Sequence, residues 1–237
     1  MEKQKQKVAL VTGGTKGIGF GVAQSLLQQG YKVAVTGRSQ STADEAADKL
    51  KVFGDAIGIA ADVKSLESQT ATVQTVLDKW GQLDVLIANA GVGHFAPIDE
   101  LSADQWHDTI DTNLTGVFFS IKAALDALKI SKGYIITISS LAGTNFFAGA
   151  SAYNASKFGL TGFSQAAMLD LRKYDIKVTT IMPGSVATYF AEHEPDAEKD
   201  AWKIQPEDIG QMVVDLLNMP ARTLPSKVEV RPLKTSN

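Results

Sequence analysis

Residues 7–30, "KVALVTGGTKGIGFGVAQSLLQQG", decide the fold. An apolar run, Val8 to Val11, gives way at Thr12 to a cluster of glycines, Gly13, Gly14, Gly17 and Gly19, and an amphipathic stretch follows as far as Gln29. The spacing predicts a strand over 7–12, a tight turn and a helix over 17–29. Glycine permits the turn, lets backbone N–H groups approach a pyrophosphate and lets the helix pack closely on its strand. The helix N-terminus adds partial positive charge. The spacing is not the usual GxGxxG fingerprint, and a glycine cluster alone is a weak sign of a phosphate site. Its place between a strand and a helix strengthens that reading.

The same alternation runs on through the 237 residues. Further strands are expected at "YKVAVT" (31–36), "AIGIAA" (56–61), "DVLIAN" (84–89), "YIITIS" (134–139), "KVTTIM" (177–182) and "KVEVR" near the C-terminus. Helices are expected over 41–53, 65–80, 102–128 and 152–173, and from Pro206, where proline suits a first helical turn. Ser102 and Gln105 have capping-box spacing. The strands are almost continuously apolar, as in a parallel sheet covered by helices on both faces, which predicts a doubly wound α/β domain with its ligand at the carboxyl ends of the strands.

Composition narrows the function. A hydrophobic content of 44% can fill an ordinary core. A formal charge of −3 gives no field that would gather nucleic acid or anionic lipid. With no cysteine, thiolate chemistry and disulfides are excluded and a reducing compartment is suited. No stretch approaches the roughly 20 apolar residues of a membrane span. A soluble, cytoplasmic protein with no nucleic-acid or membrane partner is expected.

In a dinucleotide-binding unit a carboxylate about 20 residues beyond the glycines accepts bonds from the adenosine ribose. Here the second strand ends "VTGRS", and no Asp or Glu occurs from Tyr31 to Ala43. Arg38 stands near the expected acid. It can pair bidentately with a 2′-phosphate, Lys16 can add a second charge and Ser39 a hydroxyl donor, so NADP(H) is preferred and NAD(H) remains possible. The alternative is that Arg38 and Lys16 are solvated loop charges.

"SAYNASKFG", 151–159, sets Tyr153 four residues ahead of Lys157 among small side chains. On a helix the two are turned only about 40° apart, about 6 Å along the axis, so they share a face. Unit charges about 4 Å apart at an effective dielectric of about 20 interact by about 4 kcal/mol, equivalent to about three pKa units for a phenol whose reference value is near 10. Desolvation opposes that, and the expected net result is a tyrosine acidic enough to protonate a developing alkoxide. An ordinary exposed Tyr/Lys pair is the alternative. Ser140 follows the strand at 134–139, on the edge where such a sheet presents its ligand, although a Ser-Ser pair there can also be a simple turn.

With TGGTKGIG (12–19), ANAG (88–91), Asn113 in "NLTGVF", Ser140, YNASK (153–157) and PG (183–184) in that order, the chain resembles the classical short-chain dehydrogenase/reductase family over about residues 7–218. The resemblance implies one Rossmann-type domain over 1–237 with a three-layer, doubly wound parallel sheet and a substrate-loop segment at 185–205. It also implies a nicotinamide cofactor and a tetrad in which Tyr153 donates the proton and Ser140 holds the substrate oxygen. Lys157 binds the nicotinamide ribose and lowers the tyrosine pKa, and Asn113 holds a water in a proton relay. Cofactor contacts are implied for Gly13, Thr15, Lys16, Gly17, Ile18, Gly19, Arg38, Ser39, Asp62, Val63, Asn89, Gly91, Pro183, Gly184 and Thr188, besides Tyr153 and Lys157. No metal is implied. Asn113 can instead brace a helix, Asn89 and Gly91 the sheet, and Asp62 can cap the helix that follows it.

Two features depart from the family pattern. Ala88 stands where NNAG is common, and the C-terminus "LPSKVEVRPLKTSN" lacks the glycine-rich ending of fatty-acid-synthesis reductases. A homodimer or homotetramer through the helices near 102–129 and 152–173 is expected by analogy. The expected activity is NADP(H)-dependent hydride transfer between the nicotinamide and a carbonyl or secondary alcohol, of carbonyl reductase type. A 3-oxoacyl-thioester reductase and a non-catalytic dinucleotide-sensing regulator are the alternatives. His94, Phe95, Phe146, Phe147, Tyr189 and Phe190 are candidate substrate walls, unless the phenylalanines belong to the core or an interface.

Overall fold

A computed structural model describes residues 6–235, so the ends of the expected 1–237 domain lie outside the described residues. Seven strands form one sheet: β1 (Val8–Val11), β2 (Lys32–Gly37), β3 (Ala56–Ala60), β4 (Val85–Ala88), β5 (Tyr134–Ile138), β6 (Lys177–Pro183) and β7 (Lys227–Val230), in spatial order β3-β2-β1-β4-β5-β6-β7. Every pairing is parallel; Leu10, for example, lies between Ala34 and Leu86. The chain winds outward from β1 to β3 and returns to β4 on the other side of β1. That reversal opens the crevice in which this architecture binds its ligand.

Both faces of the sheet are covered, which is why the strands read as continuous apolar runs. On β1, Ala9 and Val11 face one side, where Val22 and Leu26 of α1 (Gly17–Gln28), Ala46 and Leu50 of α2 (Gln40–Leu50) and Ile209 and Val213 of α7 (Pro206–Leu217) pack. Val8 and Leu10 face the other. There they meet Val76 of α3 (Leu66–Trp80), Ala124 and Leu128 of α5 (Gly116–Ser131) and Leu160 of α6 (Ser151–Leu171). Successive strand residues point to opposite faces, so two buried faces demand apolar residues throughout. Among the described residues, no helix is long and apolar enough to cross a membrane.

The capping box of Ser102 and Gln105 forms and starts α4 (Ala103–Ile110), and Pro206 is the first residue of α7. The helix expected over 102–128 forms, with a wide, π-type turn over Asp111–Thr115 between α4 and α5. Such turns often mark functional positions in a helix. The helix expected over 41–53 ends at Leu50, and turns complete it.

Candidate active site

The glycine turn is shaped by backbone needs. Gly13 and Gly17 have φ of +63° and +58°, the left-handed region that a Cβ disfavours. A Cβ on Gly13 would also come within 2.8 Å of Ala90 Cα, so the turn lies hard against the segment after β4. Asn89 ties the two together. Its Nδ2 donates to the carbonyls of Thr12 at 2.9 Å and Gly13 at 3.0 Å, and its backbone N–H donates to Thr12 Oγ1 at 3.0 Å. The amide of Asn89 is therefore engaged in bracing the turn. A Cβ on Gly91 would come 3.3 Å from Asn113 Oδ1 and 3.8 Å from Lys157 Nζ, so this backbone also borders the tetrad.

Asn113 is completely buried within the π-type turn. Its Oδ1 accepts from Val92 N at 2.8 Å, and its Nδ2 donates to Val92 O at 2.8 Å and to Ser156 Oγ at 3.0 Å. Both amide hydrogens are thus spent on the loop after β4 and on α6. The geometry is that of a clamp between that loop and α6.

Ser140 follows β5, where its Oγ accepts from Ala142 N at 3.1 Å and lies beside the Tyr153 phenol. Tyr153 lies in the first turn of α6, only 9% exposed. Lys157 lies one turn on, buried, with its Nζ donating to Ile138 O at 3.1 Å and sitting 5.7 Å from the centre of the Tyr153 ring. Burial pushes the phenol pKa above 10.0, and a hydrogen bond with Ser140 pulls the other way. Burial also pulls Lys157 down to about 8. Net acidification of the tyrosine is therefore not what this structure shows. The ammonium lies over the ring face rather than against the hydroxyl, and desolvation prevails. A phenol in this position stays protonated, the form a proton donor needs.

At the other end of the crevice, Thr15, Lys16, Arg38, Ser39, Thr42, Glu45, Ala46 and Lys49 line a cavity of about 430 Å³. Three cations and three hydroxyls face one space. Ser39 caps α2, its Oγ accepting from Thr42 N at 3.3 Å, so the positive end of that helix opens here too. Lys49 and Thr42 were not among the expected residues. Thr42, Glu45, Ala46 and Lys49 recur at helical i, i+3, i+4 and i+7 spacing, the signal from which they could have been found.

The remaining expected contacts are scattered around the same edge. Ile18 is half-buried at the start of α1 and packs on the core, and Gly19 is held so close to Asn89 that a Cβ would meet its Nδ2 at 2.5 Å. Asp62 is exposed beyond β3, with its Oδ1 accepting from Lys64 N at 2.9 Å, and Val63 is buried against Gly116. Asp62 does not cap α3, since Ser65 does. Pro183 ends β6, Gly184 N donates to Val230 O at 2.8 Å, and Thr188 lies over Gly17.

The expected substrate walls divide. Phe95, Phe147, Tyr153 and Phe190 gather, whereas Phe146 is 85% exposed and Tyr189 turns its ring to Lys16, 5.3 Å from the ammonium. His94 Nε2 pairs with Asp108 at 3.0 Å, and the same carboxylate accepts from Lys64 at 3.0 Å. Hydrogen bonds from His94 and Lys64 hold Asp108 below the usual carboxylate range.

Residues 7–199 match the family described as short chain dehydrogenase. The chain belongs to the short chain dehydrogenase family. It is an oxidoreductase of that family, and its members of known structure share its architecture. An alcohol dehydrogenase from the archaeon Thermococcus sibiricus, solved in complex with 5-hydroxy-NADP, superposes with a TM-score of 0.91 at 29% identity, covering 98% of this chain and 99% of the other. Trans-4-hydroxycyclohexanecarboxylate dehydrogenase of Sinomonas cyclohexanicum is 36% identical over 79% of this chain and 75% of its own length. A 3-oxoacyl-[acyl-carrier-protein] reductase of Synechocystis sp. is 36% identical over 79% and 77% respectively.

Proposed function

We propose that this short chain dehydrogenase is an NADP(H)-dependent carbonyl reductase acting on small-molecule ketones. The observation that carries the reading is the buried Tyr153 phenol, with the Ser140 hydroxyl beside it and the Lys157 ammonium beneath its ring. Support for NADP(H) over NAD(H) comes from the cavity in which Lys16, Arg38 and Lys49 outnumber the one carboxylate, Glu45, and in which Arg38 stands where a ribose-binding acid would follow β2. The fit continues along the crevice. Left-handed glycines at 13 and 17 expose backbone for a pyrophosphate, and a Cβ at Gly91 would fill the space beside Lys157.

When bound, NADPH supplies the hydride that reaches the carbonyl carbon and is left as NADP⁺. The chain supplies the rest. Ser140 donates a hydrogen bond to the substrate oxygen, and Tyr153 gives that oxygen its proton, completing the alcohol. The phenolate left on Tyr153 is stabilised by Lys157, whose ammonium needs no reorganisation because Ile138 O already fixes it. Asn113 holds the loop at Val92 and thereby the wall of the site. Gly13, Thr15, Gly17, Ile18 and Gly19 serve the pyrophosphate, Asn89 and Gly91 border the adenosine side, and Lys16, Arg38 and Ser39 serve the 2′-phosphate. Asp62 and Val63 serve the adenine, Thr188 the carboxamide, and Pro183 and Gly184 form the cofactor-binding turn before it. Self-association through α5 and α6 is supported by the exposed Phe118 and Leu169 on those helices.

Nicotinamide absorbance tests the reading directly with a panel of ketones, for wild type and Tyr153→Phe. Wild type is expected to consume NADPH, and NADH more slowly, while the variant loses about 10³-fold in kcat and binds NADPH as before. Equal turnover by the variant, or no consumption with any ketone, contradicts it.

A further inference from the structure

Phe190 lies on the excursion that leaves β6 after Pro183 and is closed at its neck by the Val186–Ile204 bridge. Its ring sits 5.5 Å from the Tyr153 ring and 6.3 Å from that of Phe95, while Phe95 and Tyr153 are 5.3 Å apart. Three rings thus close a triangle, with Phe147 continuing it 6.1 Å from Phe95. The far edge of Phe190 points at glycine: a Cβ on Gly93 would meet its Cζ at 2.5 Å and its Cε1 at 2.7 Å. Phe190 also packs on the buried trio of Ala142, Ala150 and Tyr153. A planar, six-membered ring therefore fills a slot whose floor is the tyrosine and whose walls are Phe95 and the Gly93 backbone.

The attachment of that ring is poised for change. Ala191, next to it, has φ of +53°, uncommon for a residue with a Cβ. Because the excursion is closed at 186 and 204, the ring can leave without unpairing β6.

We infer that the chain's own Phe190 occupies the substrate subsite, and that the substrate is a ketone whose carbonyl lies on or beside a six-membered ring that displaces Phe190. The inference rests on the carbonyl reductase reading. Seated on Tyr153, such a ring brings its carbonyl to Ser140 and the phenol. The reaction adds hydride from NADPH to the carbonyl carbon and the phenolic proton to oxygen, yielding a cyclic or benzylic alcohol and NADP⁺.

The test uses Phe190→Trp, saturated with NADP⁺, and reads indole emission against wild type, which already carries Trp80, Trp106 and Trp202. Cyclohexanone is expected to shift the added emission saturably toward that of a solvated indole, with 2-hexanone needing about tenfold more, the discrimination an apolar pocket can exert on shape. Equal effects of the two ketones, or none from either, overturn the inference. Kinetics give a second arm. Phe190→Ala is expected to lower KM for the bicyclic 1-tetralone several-fold and for 2-hexanone less; an unchanged KM for 1-tetralone overturns the displacement. Should wild type reduce no ketone at all, the reductase reading falls, and the emission experiment alone decides the slot.

Discussion

The two ends of the crevice are built by different means. At the end proposed for the adenosine, Lys16, Arg38, Ser39, Thr42, Glu45 and Lys49 come from one turn and the strand–helix pair β2–α2, and polar groups face a cavity of about 430 Å³. At the reacting end, Gly93, Phe95, Phe147, Tyr153 and Phe190 come from four separate segments, and rings touch rings. Charge can act across open space, so the first end needs only approximate placement. Apolar surfaces recognise by contact, so the second depends on how distant segments pack. Cofactor choice should therefore respond to single charges, and substrate choice to the shape of a loop.

Three substitutions sharpen that contrast, beginning with the largest effect. Lys157 is a cation kept at the apolar end, where burial lowers its pKa from 10.5 to about 8. Between these values the unfolded chain holds a proton that the folded chain does not, so stability rises with pH across that window. Below about pH 8 the buried charge costs about 3 kcal/mol. Lys157→Met is accordingly expected to lose turnover yet gain about 3 kcal/mol at neutral pH by denaturant unfolding, a gain that fades from pH 8 towards 10.5. A destabilised variant at neutral pH would break the comparison, because it would mean the ammonium is not paying a desolvation cost.

Arg38→Asp comes next. It is expected to weaken NADPH binding by about 10- to 100-fold in a fluorescence titration, the worth of charge-assisted hydrogen bonds, with little loss for NADH. Equal losses for both cofactors would place Arg38 outside phosphate recognition. The smallest effect is expected for Lys49→Ala, about two- to fivefold on NADPH alone and diminishing with added salt, since this cation acts across a solvated cavity. Salt-independent loss would point to packing instead.

Much of the fold was legible because both sheet faces are buried, which left β1 and β4 as unbroken apolar runs that no amphipathic strand would show. The wide turn between α4 and α5 was not. The helical pattern continues through 111–115, and the turn there accompanies a clamp between Asn113 and Val92 that is visible only when the two segments are packed. Arg38 could be read from a missing carboxylate beside it. The seat of Phe190 against Gly93 could not, because it joins residues almost a hundred positions apart. The tyrosine shows the limit most clearly. Spacing places Lys157 one turn from Tyr153, but only burial tells which influence on the phenol prevails, and here desolvation outweighs the hydrogen bond with Ser140.

Proton retention by that buried phenol is the claim on which the catalytic account stands. Ultraviolet difference titration of wild type against Tyr153→Phe, without cofactor or ketone, reads it directly. The account predicts that no phenolate assignable to Tyr153 appears until the pH has passed the ordinary value of 10.0. A phenolate signal present in wild type near neutral pH and missing from the variant would contradict it.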